Sequence, residues 1–288
     1  AITAVNGSGS SVSSGATSND ATLSLTFTSS EATSNFASSD ITATGGAISS
    51  FASSSSSVYT ATFTPAADGL TSVNIAAGAF TDASSNSNTA ATEFSWTYNG
   101  TPASVSSVAL ASNNSTIAVT MDKAVYSTGG GSGALETTDF SLAISGGSAS
   151  LSSATPSSIS ASGSVYTLGI GITGTPDGSE VVTVNPVSGS IYDAYGNIST
   201  NSQSNNTATL NDQLSPTVSI TAVSSSGDAV SSGSTTNDAS IILTLTASES
   251  TSNLASADVT VSGGSLSSFS GSGTTYNVTF TPSASGAT

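Results

Sequence analysis

Short stretches along the chain alternate apolar residues with hydroxyl-bearing ones at a period of two. Thr22–Thr28 reads Thr-Leu-Ser-Leu-Thr-Phe-Thr, which puts Leu23, Leu25 and Phe27 on one face of a strand. Val58–Phe63 and Glu93–Tyr98 repeat the pattern, the latter as a Phe94-Trp96-Tyr98 stripe. Ser and Gly punctuate the intervals as turn formers, while Thr suits the solvent side of a strand. No segment of useful length carries a 3.6-residue period. Disorder is the alternative for a chain with 69 Ser and 43 Thr in 288 residues. The regular alternation and a mean hydropathy of +0.14 argue against it. The expected fold class is all-β.

A repeat organises these strands. Ile2–Phe51 aligns without gaps on Ile220–Phe269, with 31 of 50 positions identical. Seventeen of the identities are neither Ser nor Thr, so biased composition does not explain them. The match resumes after a one-residue deletion, with Tyr59, Phe63 and Pro65 facing Tyr276, Phe280 and Pro282. The intervening segment is a diverged relative. Asp40-Ile41 recurs as Asp139-Phe140, Val58-Tyr59-Thr60 as Val165-Tyr166-Thr167, and Asp68-Gly69 as Asp177-Gly178. Phe80–Asn86 recurs as Ile191–Asn197. The chain therefore reads as three copies of one unit: A over 1–101, B over 102–215 and A′ over 216–288. The joints are Asn99–Pro102 and Asn211–Pro216, both short and ending in Pro, which favours semi-rigid end-to-end stacking. Ala1 begins directly on a strand run, and A′ stops short of strands matching those that follow Val73 in A. The expectation is an excerpt from a longer array.

The order of motifs is Thr22–Glu31, Asp40–Phe51, Tyr59–Pro65 and Val73–Asp82, with an Asp-x-x-Gly-Asn turn at Asp193–Asn197. It resembles the bacterial Ig-like domains that occur in tandem in large surface adhesins and S-layer proteins. Copy A departs from the turn pattern, with Ser85 in place of Gly. The resemblance implies tandem Ig-like β-sandwiches arranged end to end, on a cell surface or outside the cell, with no enzymatic activity of their own.

Composition removes whole classes of chemistry. The chain has one Lys and 17 acids, no Arg, His or Cys, and a formal net charge of −16. A Ser-His-Asp triad, a Cys nucleophile and thiolate metal sites are thereby excluded. With Lys123 as its lone base the chain cannot neutralise a run of phosphates, so nucleic acid is not an expected partner. An acidic surface is repelled by anionic lipid, and no apolar stretch approaches a membrane span. Lys123 itself reads as a solvated surface charge. Glu31 and Asp40 recur as Glu249 and Asp258, which points to a structural role in each unit.

The sharpest candidate site is for Ca²⁺, which takes six to eight oxygens from carboxylates, carbonyls and Asn. Asp20 and Asp238 stand in duplicated Asn-Asp pairs, Asp82 with Asn86 and Asp193 with Asn197 form turns at domain poles, and Asp212 lies in a joint. The competing expectation is that these residues cap their own turns. The first joint, Tyr98–Pro102, offers no acid of its own. Expected partners are adjacent repeats or further copies of the chain, with cell-surface glycans as an alternative. Further alternatives are a filament or sheath subunit built by strand exchange at an open sheet edge, and a phage tail or capsid decoration domain.

Overall fold

The computed structural model describes residues 1–286. The chain divides into two compact units, Ala1–Asp212 and Gln213–Thr288. Unit 1 contains two β-sandwiches, copies A and B.

Copy A has nine strands: β1 (Ile2–Val5), β2 (Ser11–Val12), β3 (Thr17–Ser18), β4 (Leu23–Thr28), β5 (Ile41–Thr44), β6 (Gly46–Ser53), β7 (Val58–Pro65), β8 (Gly69–Ile75) and β9 (Phe94–Tyr98). They form two sheets, ordered β2-β1-β4-β7-β6 and β3-β9-β8-β5. The period-two pattern decides which side chains meet between the sheets. Leu23, Leu25 and Phe27 face inward from one, and Val73, Phe94 and Trp96 from the other. Trp96 is fully buried with its ring 4.6 Å from Phe63. The aromatic stripe thus serves the core, with Phe94 also buried.

Copy B follows with β10 (Val105–Leu110), β11 (Thr116–Met121), β12 (Val125–Tyr126), β13 (Phe140–Ser145), β14 (Ser150–Leu151), β15 (Ile159–Ser162), β16 (Val165–Gly169), β17 (Ile172–Thr173), β18 (Val181–Pro186), β19 (Tyr192–Asp193) and β20 (Thr207–Thr209). Its sheet β10-β11-β16-β15 repeats the order β1-β4-β7-β6. Its sheet β13-β18-β20 repeats β5-β8-β9. The diverged middle segment is therefore a third copy of the same topology, around a core of its own centred on Ile117, Val119, Leu168 and Val184.

Unit 2 carries β21 (Val218–Ser224), β22 (Ile241–Thr251) and β23 (Gly264–Pro282) in one antiparallel sheet, β21-β22-β23. These match β1, β4 and the β6–β7 segment. Its cluster consists of buried Leu245, Tyr276 and Val278, with Leu243, Leu254, Val259, Leu266 and Phe269 partly buried against it. The unit division at Asp212 falls within the Asn211–Pro216 joint read from the sequence.

One device recurs in all three copies. A single 3₁₀ turn stands at Ser38–Asp40, Thr137–Asp139 and Ser256–Asp258. In each, the Asp carboxylate turns back to accept a backbone N–H: Ala37 to Asp40 at 2.9 Å, Glu136 to Asp139 at 2.7 Å, and Ala255 to Asp258 at 2.9 Å. The repeated acid is a turn cap, as its recurrence implied.

Candidate functional site

The site with the densest polar chemistry is the joint between copies A and B, inside unit 1. β9 leaves the core of A at Tyr98, and the chain crosses to B through Asn99, Gly100 and Thr101. Asn99 N–H donates to the Ser18 carbonyl at 2.9 Å, extending the pairing of β9 with β3. Gly100 lies against the Tyr98 ring, where an added Cβ would sit 2.1 Å from the hydroxyl. A larger residue there requires the Tyr98 ring to shift.

Asp68, in the turn between β7 and β8, grips this crossing. Its carboxylate accepts Gly100 N–H at 2.7 Å and Thr101 N–H at 3.2 Å. These donors, Gly100 foremost, hold the Asp68 carboxyl below its usual range. The acid absent from the joint's own sequence is supplied by a turn packed beside it.

Copy B grips from the other side. Lys123, just beyond β11, donates from Nζ to the Thr101 carbonyl at 2.7 Å and stands 3.8 Å from Asp193 Oδ2. Asp193 is only 1% exposed. Its Oδ1 accepts the N–H groups of Tyr195 and Asn197, and its Oδ2 accepts Asn197 Nδ2 at 2.9 Å. The same Asn197 Nδ2 donates to the Asn99 carbonyl at 2.9 Å. Two residues of the joint thus have their carbonyls held by B and two their amides held by Asp68. Gly196, at φ +89°, lets the turn pass close to its own copy, where an added Cβ would come 2.9 Å from the Gly129 carbonyl, with Asn19 of A in ordinary contact at 3.6 Å. The Ser11–Asp20 segment of A, which carries β2 and β3, faces Ala194 and Tyr195 of B across a cleft of about 430 Å³.

This placement corrects the expectation for Lys123. Its side chain is 32% exposed and engaged at the joint, so it is not a free surface charge. A partly desolvated ammonium between a carbonyl and a buried carboxylate is a stronger interaction than an exposed pair.

The calcium candidates are distributed as follows. Asp193 and Asn197 meet in the joint beside Lys123. Asp20 lines the facing cleft, with its carboxylate accepting the Ser18 hydroxyl. Asp82 and Asn86 form the corresponding turn of copy A: Asp82 Oδ1 accepts Ser84 and Asn86 N–H, and Oδ2 accepts Asn86 Nδ2, all at 2.8 Å. Those bonds, led by the Asn86 side chain, hold the Asp82 carboxyl low. Asp238 lies in unit 2 and accepts the Thr236 hydroxyl. Asp212 lies beside Gly178, where an added Cβ would be 3.4 Å from its own. Among the described residues, no three acidic side chains converge as a metal-ligating group.

Sequence reasoning missed three buried polar groups in copy B. Glu180 is fully buried, and its carboxylate accepts N–H groups of Ser148, Ala149 and Asp177. Asn114, at φ +57°, exchanges side-chain and backbone bonds with Asn211 and so fixes the chain where it leaves B. Asn206 donates to the Val184 carbonyl at 2.9 Å. The recurrence of Asp68-Gly69 as Asp177-Gly178 did mark the turns from which Asp68 and Glu180 act.

Among the described residues no helix is long and apolar enough to cross a membrane. Searching curated proteins gave no match. The family model described as a bacterial Ig-like domain matches residues 8–99 and 212–288, more than half of the chain. Those regions cover copies A and A′, and copy B shares their sheet order. With its sandwich topology and its duplicated units, the chain belongs to the bacterial Ig-like domain family.

Proposed function

We propose that this chain is a non-enzymatic structural segment of a prokaryotic surface protein, whose work is to hold reach and spacing outside the cell. The observation that carries this reading is the A–B joint. A connection of three residues engaged by Asp68, Lys123 and Asn197 resists bending in a way that a Gly/Ser tether does not. The absence of His, Cys and Arg from the sequence removes most nucleophile–base pairs, and Phe94 and Trp96 of the aromatic stripe are buried in the core of A. An acidic surface keeps neighbouring stalks apart and is best tolerated where salt screens it.

The test is the distance distribution between spin labels on A and B in the full chain, at Ser49→Cys and Ser160→Cys, with no native Cys to interfere. A narrow distribution is expected. It should stay narrow in EDTA, because the Lys123 ammonium stands 3.8 Å from the Asp193 carboxylate. A distribution that broadens in EDTA would instead assign the stiffness to Ca²⁺. One that is broad in both conditions would overturn the reading.

A further inference from the structure

The turns Asp82–Asn86 and Asp193–Asn197 are built alike but differ in one side chain that the turn does not use. Asp82 Oδ1 accepts the N–H of Ser84, and Asp193 Oδ1 accepts the N–H of its equivalent, Tyr195. In both turns the Asp also bonds the N–H and the side-chain amide of the Asn. The turn therefore forms equally well around a serine, and its backbone does not call for an aromatic ring. Yet the Tyr195 side chain is 44% exposed, the one exposed aromatic among the described residues. It lines the cleft of about 430 Å³ between A and B. Across that cleft, A supplies polar groups with bonding capacity to spare. Asn19 Nδ2 lies 3.6 Å from where a Cβ on Gly196 would stand, beside Tyr195 in the same turn. The half-buried Asn19 amide makes no hydrogen bond among the described residues. Asp20 takes the Ser18 hydroxyl through Oδ2, which leaves its Oδ1 without a partner among them. Ser13 and Thr17 add hydroxyls to the same wall.

The geometry points to this cleft as a binding site for a neutral sugar, with Tyr195 as its platform and Asn19 and Asp20 as its polar wall. The face of a tyrosine ring is apolar and packs on the C–H face of a pyranose. An amide both donates and accepts, and a carboxylate accepts, so Asn19 and Asp20 together can take adjacent sugar hydroxyls. The cleft volume falls within the range of about 300–1,000 Å³ usual for small-molecule sites. Charge narrows the ligand further. The lining holds one carboxylate and no base, on a chain of net charge −16, so phosphates, sulfates and uronic acids are repelled. The only lysine is engaged at Thr101 and Asp193. An apolar ligand would strand the Asn19 amide and the Asp20 carboxylate without partners. A site this open binds at about millimolar affinity. The inference goes beyond the stalk reading and does not depend on it.

The test is an NMR titration of the isotope-labelled full chain with methyl β-glucoside, methyl β-galactoside, methyl α-mannoside and diacetylchitobiose, each to about 50 mM. Glucuronate and choline serve as charged comparators. At least one neutral sugar should shift the Asn19 side-chain amide and the Tyr195 N–H resonances saturably, and glucuronate should shift neither. Tyr195→Ser, the residue the A turn carries at Ser84, should weaken binding about tenfold or more, and Asn19→Ala comparably. Tyr195→Phe should keep most of it, since the ring face is retained. The A–B spin-label distribution should stay narrow in Tyr195→Ser. A broad one would make the ring a joint contact and overturn the inference. No shift with any of the neutral sugars at that loading also overturns it, as does a shift that survives Tyr195→Ser. Choline binding in place of sugar would assign the cleft to a cation and overturn it too. These outcomes leave the stalk reading alone, because that reading rests on the distance distribution of the chain with Tyr195 in place.

Discussion

Copies A and A′ start from nearly the same fifty residues and reach different degrees of burial. In A, Leu25 is fully buried; its equivalent Leu243 is only partly so. Ile2 packs against the core of A, whereas Ile220 is 58% exposed. The difference lies in what faces the sheet. In A, β5 pairs with β8 in register from Ile41↔Ile75 to Thr44↔Ser72, and Trp96 closes the interior from β9. In unit 2 the matching segment, Asp258-Val259-Thr260-Val261, is at least as rich in strand formers, yet 259–262 forms no strand among the described residues. A β-strand at this position is made by its partner, with propensity only permitting it. The hairpin-and-turn framework is local to the repeated sequence, and the core is not.

The strongest way to break the comparison is to remove the central side chain of the core of A. Trp96→Ala should destabilise copy A by about 3–5 kcal/mol and leave unit 2 unchanged, seen as one shifted transition in calorimetry. Equal shifts in both units would contradict the separate cores. Next in size is the matched pair Leu25→Ala and Leu243→Ala. The first should cost about 2–4 kcal/mol and the second about 1 kcal/mol or less, by chemical denaturation with unit-specific probes.

The joint gives smaller effects. Lys123→Met leaves the buried Asp193 carboxylate without its cation and should cost about 1–3 kcal/mol, with a broadened A–B distance distribution. The same change leaves unit 2 untouched, which sharpens the contrast between a clamped connection and the sandwich interiors. Acid should act more gently still. Asp68 and Asp82 have carboxyls held low in the folded chain, so their contribution is complete above the unfolded value near 4 and is lost as pH falls through the lower folded values. Loosening of the joint below about pH 4, before either sandwich unfolds, is the expected order in a pH titration of the spin-label distances.

Much of this was legible in the residues. Alternation located the main strands, and the gapless match of Ile2–Phe51 to Ile220–Phe269 exposed the duplication. Scattered pairs such as Val165-Tyr166 were enough to recognise B, whose sheet order then proved the same. The turn pairs Asp82/Asn86 and Asp193/Asn197 stand out in the sequence, and in the structure each Asp carboxylate bonds its own turn. What stayed hidden was long-range. Nothing adjacent to Lys123 announces Thr101 or Asp193, and nothing near Asn99 announces Asp68. Glu180 reads as one more surface acid because its donors at Ser148 and Ala149 come from another segment.

The engagement of the lone lysine has a consequence for durability. A protease that cleaves after Lys or Arg meets one scissile bond in the whole chain, the one following Lys123. To present that bond, the ammonium must leave the Thr101 carbonyl and Asp193 and enter the enzyme's pocket, which requires the joint to open first. The residue that stiffens the segment is therefore also its only point of tryptic attack, and digestion at that bond proceeds no faster than the joint lets go.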